Sequence, residues 1–420
     1  MTDRLDEQAD KLLEFAKRRK AKPQFQAIDE GRYRLVVPGC ATFEIDRLRR
    51  EGGHLKGELM VRCELPGATT FDGVLDAANV NLSSSRVRSS HAKHLAERAR
   101  TEDIPWADWL EELALRVLEA ERTGQPAVLL NELPRPTADE ALEVDGLPLL
   151  AGHPAFWFGD GGTAKSYLAL YVAGRLAERG LRVGLFDWEL GGADHRNRLE
   201  RLFGEEMPTI HYARCNRPLF FESDRLRRIV RDEDLNYLVF DSVAFACDGP
   251  PEAAETASRY FQSLRQIGPV GSLHVAHVSK SFEGADQKPF GSVFWHNGAR
   301  ATWNVKLAEA LPDEAIVSIA LHNRKSNLGA KRPSIGFEFR FDDDRTHVSR
   351  VDLADVPDLA AGLSVRQRMA LALRRGAMSP ESLSEEIEAK LETVKRTSRR
   401  YKRQFTIIDG GSVALLESRT

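Results

Sequence analysis

The stretch AFWFGDGGTAKSYLALYVAGRLAERG, residues 155 to 180, runs an apolar strand pattern into a glycine-rich turn and then directly into an amphipathic helix. That order constrains the fold more than any other part of the chain. A fully apolar strand that turns straight into a helix starts a βα unit of a mostly parallel sheet with helices on both faces. The turn reads G-x-x-x-x-G-K-[ST], except that Ala164 stands where the pattern has glycine. In a loop of this kind the glycines let backbone N–H groups turn inward around phosphates. The lysine reaches the outer phosphates, and the Ser/Thr hydroxyl ligates magnesium. ATP and Mg2+ are therefore the expected cofactors. Gly159, Asp160, Gly161, Gly162, Thr163 and Ala164 form the expected cradle, with Tyr167 adjoining it. Lys165 is the expected phosphate clamp and Ser166 the expected metal ligand. If the loop holds residue 164 at positive φ, alanine costs about 1–2 kcal/mol relative to glycine. That is small against the loss of the lysine, so a functional loop is expected.

The pattern downstream continues as strand, helix, strand. RVGLFDWE, LNYLVFDSV and SLHVAHVS read as further buried strands, separated by the helices ADHRNRLERLFG and ASRYFQSLRQIG. Ligands of open parallel sheets gather at the carboxyl ends of the strands, and three side chains stand there. Asp241 ends LVFD, where a carboxylate can hold the magnesium shell. Glu189 ends GLFDWE, where it can orient and deprotonate an attacking water. His277 closes LHVAHVS, where it can hydrogen-bond an outer phosphate. Each also has a plainer reading: a turn cap for Asp241, a solvated surface residue for Glu189, a satisfied structural histidine for His277. Their convergence on one edge with the loop favours the chemical reading. The runs ATWNVKLAE, AIVSIALHN, SIGFEFRFDD and THVSRVDL then read as antiparallel strands at a sheet edge.

GDGGTAKS, the Glu of GLFDWEL, the Asp of LVFDSV and the segment VAHVSKS together resemble the RecA-type ATPase core. Within that class they look like the RepA-like hexameric replicative helicases of plasmids and phages. The resemblance covers roughly residues 145 to 355. It implies a homo-oligomeric ring with nucleotide between neighbouring copies, and a basic finger that Arg324 and Lys325 match by position. It also implies that loops facing a central channel hold single-stranded nucleic acid. In this chain that loop would be KSFEGADQKPFGSVFWHNGAR, with Lys280, Lys288, Phe290, Trp295, Asn297 and Arg300. Basic and aromatic residues on such a loop suit phosphate contacts and base stacking.

The flanks differ in character. Residues 1 to 130 read as an N-terminal α+β interaction or oligomerisation module. It holds a charged helix, the strand-like runs RYRLVVPGCATFEI and HLKGELMVRCEL, and the helix PWADWLEELALRVLEAERTG. NELPRPTADE, with two prolines, marks a linker. Residues 364 to 420 read as three short helices and a hairpin with an Asp-Gly-Gly turn, the pattern of a winged helix-turn-helix. The formal charge of the chain is −3, from 60 Lys and Arg against 63 Asp and Glu, so any nucleic-acid surface must be local. It is local in this tail, which carries 12 basic and 7 acidic residues. Lys395, Arg396, Arg399, Arg400 and Arg403 crowd its third helix, the footprint of a duplex-binding element or of a face docking on an acidic partner. The cysteines, Cys40, Cys63, Cys215 and Cys247, have no metal-like spacing. No apolar run is long enough to span a membrane, and a reducing cytoplasm is the expected setting.

The expected function is an ATP-hydrolysing, ring-forming motor on DNA, a replicative or mobile-element helicase. The alternative is an ATP-dependent loader, recombination mediator or regulator on DNA that does not unwind it.

Overall fold

The computed structural model describes residues 22–100, 104–124, 127–133, 142–277, 293–308, 315–327, 329–353, 356, 363–402, 404–408 and 410–416. The charged N-terminal helix read from the sequence lies outside these residues, as do Lys280, Lys288, Phe290 and Arg403. The chain divides into two compact units, Met1–Pro134 and Arg135–Thr420.

The first unit is a five-stranded antiparallel meander: β1 (Gln24–Asp29), β2 (Arg32–Val37), β3 (Ala41–Glu51), β4 (His54–Cys63) and β5 (Val74–Asn81). Two helices follow, α1 (Ser85–Ala99) and α2 (Trp106–Thr123). The run RYRLVVPGCATFEI is two strands rather than one, because Gly39 takes φ 68° and turns the chain between β2 and β3. Strict alternation, as in β2 with Tyr33, Leu35 and Val37 buried, leaves one polar face and one apolar face. The apolar face packs with Leu95 of α1 and with Trp106, Trp109, Leu110 and Leu113 of α2.

The second unit opens with a short hairpin, β6 (Glu143–Val144) and β7 (Leu147–Pro148). Strands and helices then alternate: β8 (Pro154–Gly159), α3 (Lys165–Glu178), β9 (Val183–Asp187), α4 (Gly192–Phe203), β10 (Ile210–Arg214) and α5 (Leu219–Asp232). β11 (Tyr237–Asp241), α6 (Val243–Ala246), α7 (Ala254–Ile267) and β12 (Gly271–His277) come next. The edge comprises α8 (Val293–Gly298), β13 (Ala301–Leu307), β14 (Ile316–Ser326), β15 (Ile335–Phe341) and β16 (Thr346–Val351). The sheet order is β10-β9-β11-β12-β8-β13-β14-β15-β16, and every pair from β10 through β13 is parallel.

Two strand assignments differ from the sequence reading. β10 and α5 form an additional βα unit between the second and third strands that were expected. The signal was weak because β10 is an edge strand in which only Ala213 is buried. ATWNVKLAE is parallel to β8, and antiparallel pairing starts only with β14. Helices cover both faces of the sheet, so its strands are apolar on both sides. Trp157 of β8 faces one core with Leu168 and Val172 of α3, while Phe156 and Phe158 face the other with Phe240, Tyr260 and Trp295.

The tail consists of α9 (Val365–Ala372), α10 (Pro380–Glu386), α11 (Leu391–Arg400) and the hairpin β17 (Phe405–Ile407) and β18 (Val413–Leu415). Met369, Leu373, Leu383, Ile387, Val394, Phe405 and Val413 form its own small core.

Candidate active site

β8 ends at Gly159, where a Cβ would lie 2.3 Å from the carbonyl oxygen of Val305, so only glycine fits beside β13. Gly162 takes φ 77° and turns the loop inward. Ala164 follows at φ 51°, ψ 19°, left-handed backbone immediately before α3. The alanine therefore sits where a Cβ is disfavoured by about 1–2 kcal/mol.

Lys165 is the first residue of α3, and its side chain is buried against the loop. Its ammonium donates to the Gly159 carbonyl at 3.0 Å, the Asp160 carbonyl at 2.6 Å and the Thr163 hydroxyl at 2.9 Å. Burial lowers its pKa to about 8, against the opposing pull of Asp241, Asp160 and Glu189. Tyr167 does not face the loop. Its ring packs edge-on against Phe341 at 5.4 Å and lies under the Arg198 guanidinium at 4.8 Å, which leaves only its backbone for the nucleotide role.

Strand register brings the other groups to the same edge. Asp241 of β11 is the Cα partner of Asp187 in β9, and His277 of β12 is the partner of Gly159 in β8. Asp241 is almost wholly buried, and burial raises its pKa while the Ser166 hydroxyl acts in the opposite direction. Its Oδ1 is buried without a hydrogen-bond partner among the described residues. An orphaned buried carboxylate oxygen beside a serine hydroxyl is an oxygen donor set that suits magnesium. Ser166 and Asp241 would hold the metal, and the loop N–H groups with Lys165 would hold the phosphates.

Glu189 lies two residues beyond the end of β9 rather than in the strand. A hydrogen bond with His277 lowers its pKa, against burial, and Ser242 adds to the effect. The strand ends instead on Asp187, which the sequence reading passed over. Its carboxylate is fully buried and accepts the N–H groups of Glu189 at 2.9 Å and Leu190 at 3.0 Å. The Tyr212 hydroxyl and the Arg214 guanidinium donate to its other oxygen, each at 2.9 Å. Burial would raise this pKa, but His195, the two N–H groups and Tyr212 more than offset it and hold the group well below the ordinary carboxylate range. Its signal was in the sequence, as the first of the two acids in GLFDWE.

Residues 120–282 match a family described as an AAA domain. The match contains the loop, Asp187, Glu189, Asp241 and His277. Those residues therefore look like an AAA-type ATPase domain with a phosphate-binding loop. No curated protein matches the chain. Among solved structures, it is similar to a KaiC-like protein of the hyperthermophilic archaeon Pyrococcus horikoshii OT3. The identity is 16%, the TM-score 0.37, and the alignment covers 51% of this chain and 95% of that one.

The basic pair on β14 separates. Thr302 pairs with Lys325 and Trp303 with Asn323, so Arg324 is the extra residue of a β-bulge. Bulges re-aim side chains and occur beside active sites. Lys325 is committed elsewhere: its ammonium donates to the carbonyls of His296 at 2.6 Å, Asn297 at 2.9 Å and Ala299 at 2.7 Å. Those three bonds cap the carboxyl end of α8, so Lys325 is corrected from a finger to a helix-terminus donor. Burial, with Arg300 adding, lowers its pKa.

The channel-loop reading is also narrowed. Trp295 is fully buried, donates its indole N–H to the Pro251 carbonyl, and packs 5.2 Å from Tyr260, so it offers no face for base stacking. Arg300 and Asn297 are exposed. In the tail, α11 buries Val394, Thr397 and Ser398 and exposes Arg396, Arg399 and Arg400. Lys395 pairs with Glu381 at 3.2 Å.

Proposed function

We propose that the chain is an ATP-hydrolysing motor that assembles as a homo-oligomeric ring on DNA, a replicative or mobile-element helicase. The observation that carries the reading is the gathering of Lys165, Asp241, Glu189 and His277 at the carboxyl ends of adjacent strands. Within such a site Lys165 draws the outer phosphates inward. Glu189, kept ionised by its bond to His277, orients a water and takes its proton. Magnesium held by Ser166 and Asp241 would neutralise charge on the phosphates. Arg324, the extra residue of a bulge, would be the residue to reach a neighbouring copy's nucleotide. The exposed arginines of α11 supply the duplex contact, and Arg300 with Lys280 and Lys288 the single-strand contact.

Lys165→Ala should abolish hydrolysis and most nucleotide binding, whereas Glu189→Gln should keep binding and stop turnover. A strand-displacement assay with ATP then separates the motor from an assembly factor that hydrolyses ATP on DNA without unwinding it. Electron micrographs with an ATP analogue and single-stranded DNA test the ring. A filament would point to a recombinase, and a monomer would sink both readings.

A further inference from the structure

Between the β14–β16 edge of the sheet and α9 of the tail lies a cavity of about 840 Å3. Among the described residues six cationic side chains line it, Arg324, Lys331, Arg332, Arg350, Arg366 and Arg374, against two carboxylates, Glu143 and Asp352. The carboxylates are already engaged. Asp352 pairs with Arg374 at 3.2 Å, and both acids act on Arg350. Lys331, Arg332 and Arg366 are exposed and have no carboxylate partner among the described residues. Arg366 is held in place by neutral groups, donating to Gln404 Oε1 at 2.5 Å and lying 4.3 Å over the Tyr401 ring. Three unbalanced cations inside one cleft repel one another, and an anionic ligand would relieve that repulsion.

We propose that this cleft binds the sugar-phosphate backbone of a nucleic-acid strand. The lining favours backbone over base. It offers guanidinium and ammonium groups with the neutral hydrogen-bonding side chains of Asn323, Ser334, Ser364 and Gln367, and among the described residues that line it there is no aromatic ring on which a base would stack. Its cations also continue into α11. Tyr401 carries Arg366 on its ring at 4.3 Å and Arg400 at 5.6 Å, so the cleft and the basic helix form one track. The core edge and the tail thereby grip the same strand, which makes the tail a clamp on the motor rather than a separate reader. The proposal rests on the reading of the chain as DNA-binding.

The test uses the full chain and fluorescein-labelled single-stranded and duplex DNA, with affinity measured across a salt series. The cleft variant is Lys331→Glu with Arg332→Glu, and Arg366→Gln serves as a second. The tail variant reverses Arg396, Arg399 and Arg400 to glutamate. Hydrolysis without DNA, unchanged, reports that each variant is folded. Two lost phosphate contacts should flatten the slope of log K against log salt by about 1.4–1.8 and weaken binding at least tenfold at low salt. If the tail variant weakens binding and both cleft variants match wild type, the proposal is overturned while the reading of the tail stands. If no variant changes affinity, both fail. A loss confined to the cleft variants supports the cleft and removes α11. A cleft variant that keeps its strand affinity but loses binding of inorganic tripolyphosphate also overturns the proposal, because the ligand is then a small anion.

Discussion

The carboxylate of Asp187 accepts the backbone N–H of Glu189 at 2.9 Å, so the acid that ends β9 fixes the acid two residues further on. With the N–H of Leu190 on the same oxygen, it closes a side-chain turn that sets the direction of the chain as it leaves the sheet. Glu189 is held from the other side by His277. One carboxylate is the proposed water activator and the other positions it.

Exchanging the two acids in turn should separate these roles. Glu189→Gln should lower turnover by about 10²–10⁴-fold with nucleotide affinity kept, the range lost with a general base. Asp187→Asn keeps an oxygen for the two N–H groups but sets an amide donor against the donors of Arg214 and Tyr212. Its kcat should fall while nucleotide affinity stays within a few fold, and the neighbouring Asp187→Ala should also lose roughly 1–3 kcal/mol of stability as buried donors go unpaired. Equal losses of affinity and turnover in Asp187→Asn would mean that it shapes the whole site rather than Glu189.

Ala164→Gly should change the stability little and leave turnover equal or higher. Glycine relieves about 1–2 kcal/mol at a left-handed position. Its more flexible unfolded chain returns roughly 0.5–1 kcal/mol of that. The net gain is under about 1.5 kcal/mol by urea unfolding. A large loss of hydrolysis would show that the methyl group has a role in the loop that strain does not describe.

The loop, the helix behind it and the three downstream strands were legible because buried parallel strands write themselves as unbroken apolar runs. β10 was not, since an edge strand with Tyr212 and Arg214 facing the solvent and Asp187 looks like loop. Asp187 itself was hidden by proximity to Glu189. Two acids in GLFDWE cannot be told apart until the strand is known to end between them. Trp295 and Lys325 misled for a different reason. Residue type suggested stacking and a cationic finger, but burial and three carbonyl partners are properties of the packed chain. Nothing at residue 324 marks a bulge, which comes from the register of β13 against β14.

The separation of Arg324 from Lys325 gives opposite expectations for adjacent residues. Lys325→Met should destabilise the fold by about 1.5–3 kcal/mol, the worth of a charged donor on otherwise open helix-end carbonyls. Arg324→Ala should leave the melting temperature near wild type and lower hydrolysis only where copies assemble. Mixing decides the matter: Lys165→Ala subunits lack a working loop but keep Arg324, while Arg324→Ala subunits have the converse. Activity restored in the mixture would show that the arginine acts across an interface. Two inactive proteins that stay inactive together would place Arg324 in its own subunit's structure.

Lys165 makes the stability of the nucleotide-free chain depend on pH in a direction opposite to a salt-bridged lysine. Its folded pKa of about 8 lies below the ordinary 10.5, so between those values the unfolded chain binds more protons than the folded one. Stability contributed by this group therefore rises with pH across that window, by at most about 1.4 kcal/mol per pH unit. Below pH 8 the lysine is charged in both states, and the cost of burying it is borne in full. Other groups titrate nearby, Tyr171 and Cys215 among them, but they are common to a Lys165→Met variant and cancel in the difference. Urea unfolding of the two proteins from pH 7.5 to 10 should show wild type gaining on the variant as pH rises. A difference that stays flat would place the ammonium in a site better solvated than its three loop partners imply, and a falling one would show that the attraction of Asp241, Asp160 and Glu189 outweighs the cost of burial.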